Sequence, residues 1–98
     1  MAGVRIEGRK SEKYSFDHEG KELSYEIQEP TFDHIVAGLS QIGKADSSGL
    51  IGCGKVIWEL CCVDFSKEIE ANANILISVC LKLATEYCLP IDIEIKKK

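Results

Sequence analysis

Apolar and polar residues alternate in two stretches near the N-terminus, and this alternation predicts a β-hairpin. The apolar positions are Tyr14 and Phe16 in the first stretch and Leu23, Tyr25 and Ile27 in the second. The polar residues 18–21 between them include Gly20, which adopts positive φ without strain. Residues 1–12 lack the pattern and are predicted to be a flexible arm. Residues 13–98 are predicted to form a single α+β domain.

Apolar residues then recur every three or four positions, which predicts helices. The first helix is predicted to start at an N-cap, Thr31, and to end at Gly43, where a left-handed cap belongs. Its apolar positions are Phe32, Ile35, Val36, Leu39 and Ile42. The second helix is marked by Leu50, Cys53, Ile57, Leu60 and Cys61, with Val56 and Trp58 widening the apolar arc.

A third helix is predicted from about Ser66 or Asn74 to Cys88. Its core positions are Leu76, Val79, Cys80, Leu83 and Tyr87, and its polar stripe holds only Ser78, Lys82, Thr85 and Glu86. Lys82 and Glu86 are predicted to pair at i,i+4. A helix this broadly apolar either lies at the centre of the domain or packs against a partner. The candidate partner-binding residues are Trp58, Ile77, Leu81 and Cys88.

The C-terminal residues alternate again, with Ile91, Ile93 and Ile95 separated by acidic residues. This pattern predicts a final strand that returns to the hairpin, because its isoleucine face needs cover. The predicted fold is therefore α+β: an N-terminal antiparallel hairpin, three helices and a C-terminal strand.

Length and charge narrow the function classes. A chain of 98 residues fits one domain and excludes a multidomain enzyme. With a net charge of −4 and only Lys96–Lys98 as a dense basic run, no nucleic-acid partner is expected. The sequence contains no apolar run of about 18 residues, so no membrane span is predicted. Residues 1–10 do not resemble a signal peptide. We therefore expect a cytoplasmic protein with no membrane partner.

The cysteines and histidines give no pattern of a metal or catalytic site. The five cysteines include no C-x-x-C pair, and His18 and His34 share no metal-ligand spacing with them. We predict free, reduced core thiols and no metal. No sequence motif predicts a Cys–His nucleophilic pair. No carboxylate lies among apolar residues that would raise its pKa towards a value useful in catalysis, so an enzyme is not expected.

One stretch matches most of a phosphate-binding motif. Gly49–Val56 reads G-x-x-x-x-G-K, but Val56 replaces the Ser or Thr that binds magnesium. The residues before it are polar, whereas this loop normally follows a buried strand. The sequence therefore predicts no nucleotide and no other cofactor.

The order of these features resembles a known family. The resemblance rests on five segments: Tyr25–Thr31, a Pro-Thr-x-Asp helix start at Pro30–Asp33, the run Trp58–Asp64, an Ala/Leu-rich helix, and a short final strand with lysines. Over roughly residues 13–98, the chain resembles the small tail assembly chaperones, and related small structural proteins, of long-tailed bacteriophages. The resemblance implies a non-catalytic protein of the host cytoplasm. It would bind the aggregation-prone tape-measure protein while the tail tube polymerises.

Two other interpretations stay open. The broadly apolar third helix is also explained if it is simply the core of a soluble domain. Alternatively, it forms a self-interface in a small virion structural protein or a homo-oligomeric scaffold.

Overall fold

The computed structural model describes residues 7–41, 49–88 and 94–97. The predicted α+β class is confirmed: a three-stranded antiparallel sheet packs with four α-helices and a π-helical turn. The elements are β1 (Ser11–His18), β2 (Lys21–Gln28), α1 (Phe32–Leu39), α2 (Gly49–Cys61), β3 (Cys62–Phe65), α3 (Lys67–Ala71), α4 (Ala73–Leu83) and the π-turn (Ala84–Cys88).

The predicted hairpin is present and closes through a two-residue turn. Glu19 and Gly20 both have positive φ, 51° and 78°, which matches the twist of a tight hairpin. Strand β1 begins at Ser11, opposite Gln28, so residues 11 and 12 belong to the sheet and not to the predicted arm. The alternation correctly places Leu23, Tyr25 and Ile27 on the buried face.

The third strand of the described sheet comes from residues that the sequence pattern did not predict as a strand. Residues 91–93 of the predicted final strand lie outside the described residues, and residues 94–97 are not in a strand. Strand β3 instead pairs antiparallel with β2, with Tyr25 opposite Phe65, which gives the order β1-β2-β3. A strand of four residues is too short to show a period of two, which explains why it was not predicted.

Of the two predicted starts of the third helix, the one near Asn74 agrees with α4, and the residues after Ser66 form a separate short helix, α3. Asn72 leaves the helical conformation, with φ −119° and ψ 110°, and separates α3 from α4. Its side-chain oxygen accepts hydrogen bonds from the backbone N–H groups of Asn74 (3.0 Å) and Ile75 (3.3 Å). Asn72 is thus an N-cap, and the part of the chain that the structure describes holds four α-helices where three were predicted.

The last turn of α4 widens into the π-turn. The predicted ion pair between Lys82 and Glu86 is not among the salt bridges of the described residues. Spacing i,i+4 aligns two side chains only in an α-helix, and a turn with i→i+5 bonding moves Glu86 out of line with Lys82.

The core lies between the sheet and helices α2 and α4. Trp58 stands edge-on to Tyr25 and Phe65, with ring centroids 5.8 and 5.2 Å away. Gly54 brings the α2 backbone against the carbonyl of Cys80 in α4. This close crossing turns the opposite side of α4 towards β1 and the solvent.

Candidate binding groove

A groove of about 600 Å³ separates β1 from α4, and we define it as the β1–α4 groove. Period two along β1 places Tyr14, Phe16 and His18 on the face that meets the groove. Helix α4 contributes apolar residues to the floor, including Ile75 and Val79. A concave site of this size with an apolar floor and a few polar groups suits an apolar ligand or side chain.

A pair of tyrosines fixes one end of the groove. The hydroxyls of Tyr14 and Tyr87 lie 2.6 Å apart in a hydrogen bond, and the ring of Tyr14 stacks on Tyr25 at 5.2 Å. Burial, together with this hydrogen bond, raises the pKa of Tyr87 far above its ordinary value. Both effects favour the neutral hydroxyl, so the end of the groove is held by a neutral bond between β1 and the π-turn.

The solvent-facing strip of α4 is less polar than its sequence suggests. The Ser78 hydroxyl donates to the carbonyl of Asn74 at 3.0 Å. The Thr85 hydroxyl lies 3.1 Å from the carbonyl of Leu81 and 3.0 Å from that of Lys82. Because these hydroxyls already have partners within the helix, an apolar surface can cover them without leaving a donor unsatisfied.

The structure separates the four candidate partner-binding residues into two pairs. Ile77 and Leu81, one turn apart on α4, remain 40% and 37% exposed, and they form an apolar shoulder beside this strip. Trp58 and Cys88 are buried, which corrects their assignment as contact residues. The ring of Trp58 lies in the core, and its indole N–H donates a hydrogen bond to the Glu70 carboxylate at 2.8 Å. Neither Trp58 nor Cys88 can therefore touch a partner directly.

Helix α1 carries an exposed apolar stripe on residues that the sequence pattern identified only as the apolar positions of one helix. Phe32, Val36 and Leu39 are 79%, 48% and 39% exposed. The helix instead packs through Gly38, which is close to both Cys53 and Cys88. Because Gly38 has no side chain, α1 approaches these two cysteines closely on that face, and the apolar stripe remains exposed to solvent. Helix α1 ends at Leu39 with Ser40 as its C-cap, earlier than the predicted end at Gly43, and Ile42 and Gly43 themselves lie outside the described residues.

The fold places a cysteine next to a histidine, a contact that no sequence motif predicted. The Cys61 sulfur lies 3.3 Å from Nδ1 of His34, which also accepts a hydrogen bond from the backbone N–H of Thr31 at 3.2 Å. Thr31 is the predicted N-cap, and it forms a capping box with His34. Burial raises the pKa of Cys61 to about 11. The raised pKa favours the neutral thiol, which is the less nucleophilic form of cysteine.

The phosphate-loop-like stretch is part of a helix. Gly49–Val56 lies within α2, and Lys55 points to solvent, 3.8 Å from Glu59. Because Gly54 is pressed against Cys80, the stretch has no room to form a phosphate-cradling loop. Within residues 7–41, 49–88 and 94–97, no group of three or more His, Cys, Asp or Glu residues is arranged to hold a metal ion.

No protein-family model, curated protein or solved structure matches the chain. None of the helices in the described ranges has the length and apolar character needed to cross a membrane. The candidate site therefore rests on its own geometry.

Proposed function

We propose that the protein is a non-catalytic binding protein that holds an apolar helical segment of another protein along α4. One observation carries the proposal: the β1–α4 groove and the Ile77–Leu81 shoulder flank a strip of α4 whose hydroxyls are already hydrogen-bonded. A partner helix lying along this strip would place apolar side chains on both sides of it. Helix-in-groove recognition uses apolar anchors with this spacing.

The energetics favour an apolar partner. Covering Ile77 and Leu81 would remove apolar surface from water, at about 25 cal/mol per Å². The strip beneath would lose no hydrogen bond, because Ser78 and Thr85 donate within α4. The tyrosine pair at the groove end adds no charge, and the long side chains of Lys82 and Glu86, which also line the groove, would have to keep their charged ends in water at the edge of the interface.

In the specific form suggested by the family resemblance, the partner is a tape-measure protein of a long-tailed bacteriophage. The complex would form in the host cytoplasm and shield the apolar helical segments of that protein until the tail tube surrounds them. The specific proposal differs from the general one only in naming the partner. Both place the partner on the same surface of α4.

A peptide-binding measurement tests the proposal. The probe is a fluorescein-labelled 20-residue peptide with leucines at helical spacing and equal numbers of Glu and Lys on its polar face. The control peptide has the same composition with the leucines in alternation, which favours a strand. We expect the fluorescence anisotropy to rise with protein concentration for the helical peptide only. Equal binding of both peptides, or of neither, would contradict the proposal.

A second candidate is a homo-oligomeric scaffold or small virion structural protein, and the stripe on α1 favours it. Phe32, Val36 and Leu39 lie at i, i+4 and i+7, the spacing of a helix–helix interface. Light scattering coupled to size exclusion distinguishes the two candidates. The scaffold predicts an oligomer that Phe32→Ala converts to a monomer, whereas the binding protein needs no self-association.

A further inference from the structure

Two cysteine thiols meet where α1, α2 and the π-turn converge. Cys53 comes from α2 and Cys88 from the last position of the π-turn, and the two thiols are close enough that Cys53 contributes to the raised pKa of Cys88. Gly38 of α1 lies directly against both. A Cβ placed on Gly38 would be 3.1 Å from the Cys53 sulfur and 3.2 Å from the Cys88 sulfur. Because both sulfurs lie this close to one point, they are at most 6.3 Å from each other.

This pair differs from the other thiols of the core. Cys62 donates to the carbonyl of Asp64 at 3.3 Å, and Cys61 contacts His34. Cys80 lies at the crossing of α2 and α4. Cys53 and Cys88 instead lie beside the same glycine, and Cys53 raises the pKa of Cys88 more than Cys61 does.

We propose that Cys53 and Cys88 are an oxidation site, and that the folded protein forms an intramolecular disulfide between them when it meets a peroxide. The pair links the π-turn, which carries Tyr87 of the β1–α4 groove, to helix α2. The proposal does not depend on the proposed function, because it concerns the thiols alone.

Access to the pair comes from the end of the helix. Cys88 is buried, and burial is the largest of the effects that raise its pKa to about 12, so it is unreactive while the turn is closed. The π-turn follows α4 directly and holds the buried Ala84 and Cys88, so it opens only by a local unfolding that breaks these contacts and the Tyr14–Tyr87 hydrogen bond. Opening exposes the Cys88 sulfur to solvent and lets it ionise, and closing returns it to Cys53.

The chemistry balances with one peroxide. The Cys88 thiolate attacks one oxygen of hydrogen peroxide, the O–O bond breaks, and Cys88 becomes a sulfenic acid as hydroxide leaves and takes up a proton to become water. The Cys53 sulfur then attacks the Cys88 sulfur. The S–O bond breaks, a second water leaves with the Cys53 proton, and the S–S bond forms. Two thiols lose two electrons in total, and one peroxide is reduced to two waters.

Trypsin makes the test direct, because cleavage after lysine places the relevant cysteines in different peptides. Cys53 falls in 45–55, Cys88 in 83–96, Cys80 in 68–82, and Cys61 with Cys62 in 56–67. The native full-length protein is treated with one equivalent of hydrogen peroxide, and its remaining thiols are alkylated after unfolding in denaturant. The protein is then digested without reductant and mapped by mass spectrometry. We expect 45–55 joined to 83–96 as the main oxidised product, with the other three cysteines alkylated.

Two variants sharpen the result. Gly38→Ala places a methyl group against both sulfurs and should lower the yield of the joined peptide at least about threefold, since this packed site must shift to admit it. Cys80→Ala removes another buried thiol and should leave the yield unchanged. The proposal is overturned if Cys88 oxidises to sulfinic acid without cross-linking, if another pair forms the main disulfide, or if Gly38→Ala leaves the yield as it was.

Discussion

Gly54 of α2 lies against the backbone carbonyl of Cys80 in α4, so closely that a Cβ built on Gly54 would be 1.7 Å from that oxygen. No side chain separates the two helices at this point. The contact is with backbone, which cannot rotate out of the way as a side chain can. The position of α4, and with it the β1–α4 groove, therefore depends on the absence of a single methyl group.

Replacing Gly54 tests this dependence. Gly54→Ala would force α2 and α4 apart, and we expect it to lower the free energy of unfolding by about 3 kcal/mol or more. The matched control is Gly52→Ala in the same helix, where a Cβ would meet only the side chain of Gln41 at 3.3 Å. There the gain in helix propensity, up to about 1 kcal/mol, should offset the tighter contact. Urea unfolding of both variants measures the difference, and equal effects would refute the explanation.

The hydrogen bond between Tyr14 and Tyr87 should couple β1 to the π-turn. In a double-mutant cycle, Tyr14→Phe and Tyr87→Phe should each lower the free energy of unfolding by about 0.5–1.5 kcal/mol. The double variant should lose less than the sum, because the two hydroxyls share one bond. Urea unfolding of the four proteins gives the coupling energy. Strictly additive losses would show that the hydroxyls do not interact in solution.

Alkaline pH should destabilise the protein through its buried thiols. Burial raises the pKa of Cys61 and Cys80 to about 11, and of Cys62 to about 12, from an ordinary value of 9.0. Above that ordinary value the unfolded chain loses these protons while the folded chain keeps them, so the unfolded state binds fewer protons and stability falls. Each thiol in this state removes up to about 1.4 kcal/mol per pH unit.

We therefore expect the contribution of these thiols to the free energy of unfolding to be constant below about pH 8. From about pH 9 towards pH 11 this contribution should fall steadily. Urea unfolding at fixed ionic strength, with a reductant present, measures it. Cys80→Ala removes one of the thiols and should make the fall shallower than in the unaltered protein. A stability that stays constant or rises across this range would disagree with burial of the thiols.

Much of the fold follows from local patterns in the sequence. The hairpin was predictable because one face of β2 is apolar at every second position and Gly20 supplies the turn. The N-cap at Thr31 was predictable because a hydroxyl before a periodic apolar run satisfies free backbone N–H groups. These features are decided by neighbours in sequence.

The orientation of α1 and the candidate site were not predictable in the same way. The periodicity of α1 marks an apolar face but does not say that Gly38 would meet Cys53 and leave Phe32 in solvent. Trp58 was placed at a partner surface, yet it is buried because its indole has Tyr25 and Phe65 as neighbours from the sheet. The exposure of Ile77 and Leu81 agrees with their assignment as candidate contacts, although exposure alone does not show binding. Such outcomes depend on long-range packing, which one sequence does not display.

The central claim is that α4 is the face that binds an apolar helix, and two leucines of nearly equal exposure test it. Leu81 on α4 is 37% exposed and Leu39 on α1 is 39% exposed, so Leu81→Ala and Leu39→Ala remove similar surface from different helices. The measurement is the dissociation constant of the fluorescein-labelled helical peptide for each variant, with melting temperatures recorded beside it. We predict that Leu81→Ala weakens binding at least about fivefold, equivalent to about 1 kcal/mol, while both variants melt within a few degrees of the unaltered protein. Binding weakened by Leu39→Ala and unchanged by Leu81→Ala would contradict the claim and place the partner on α1.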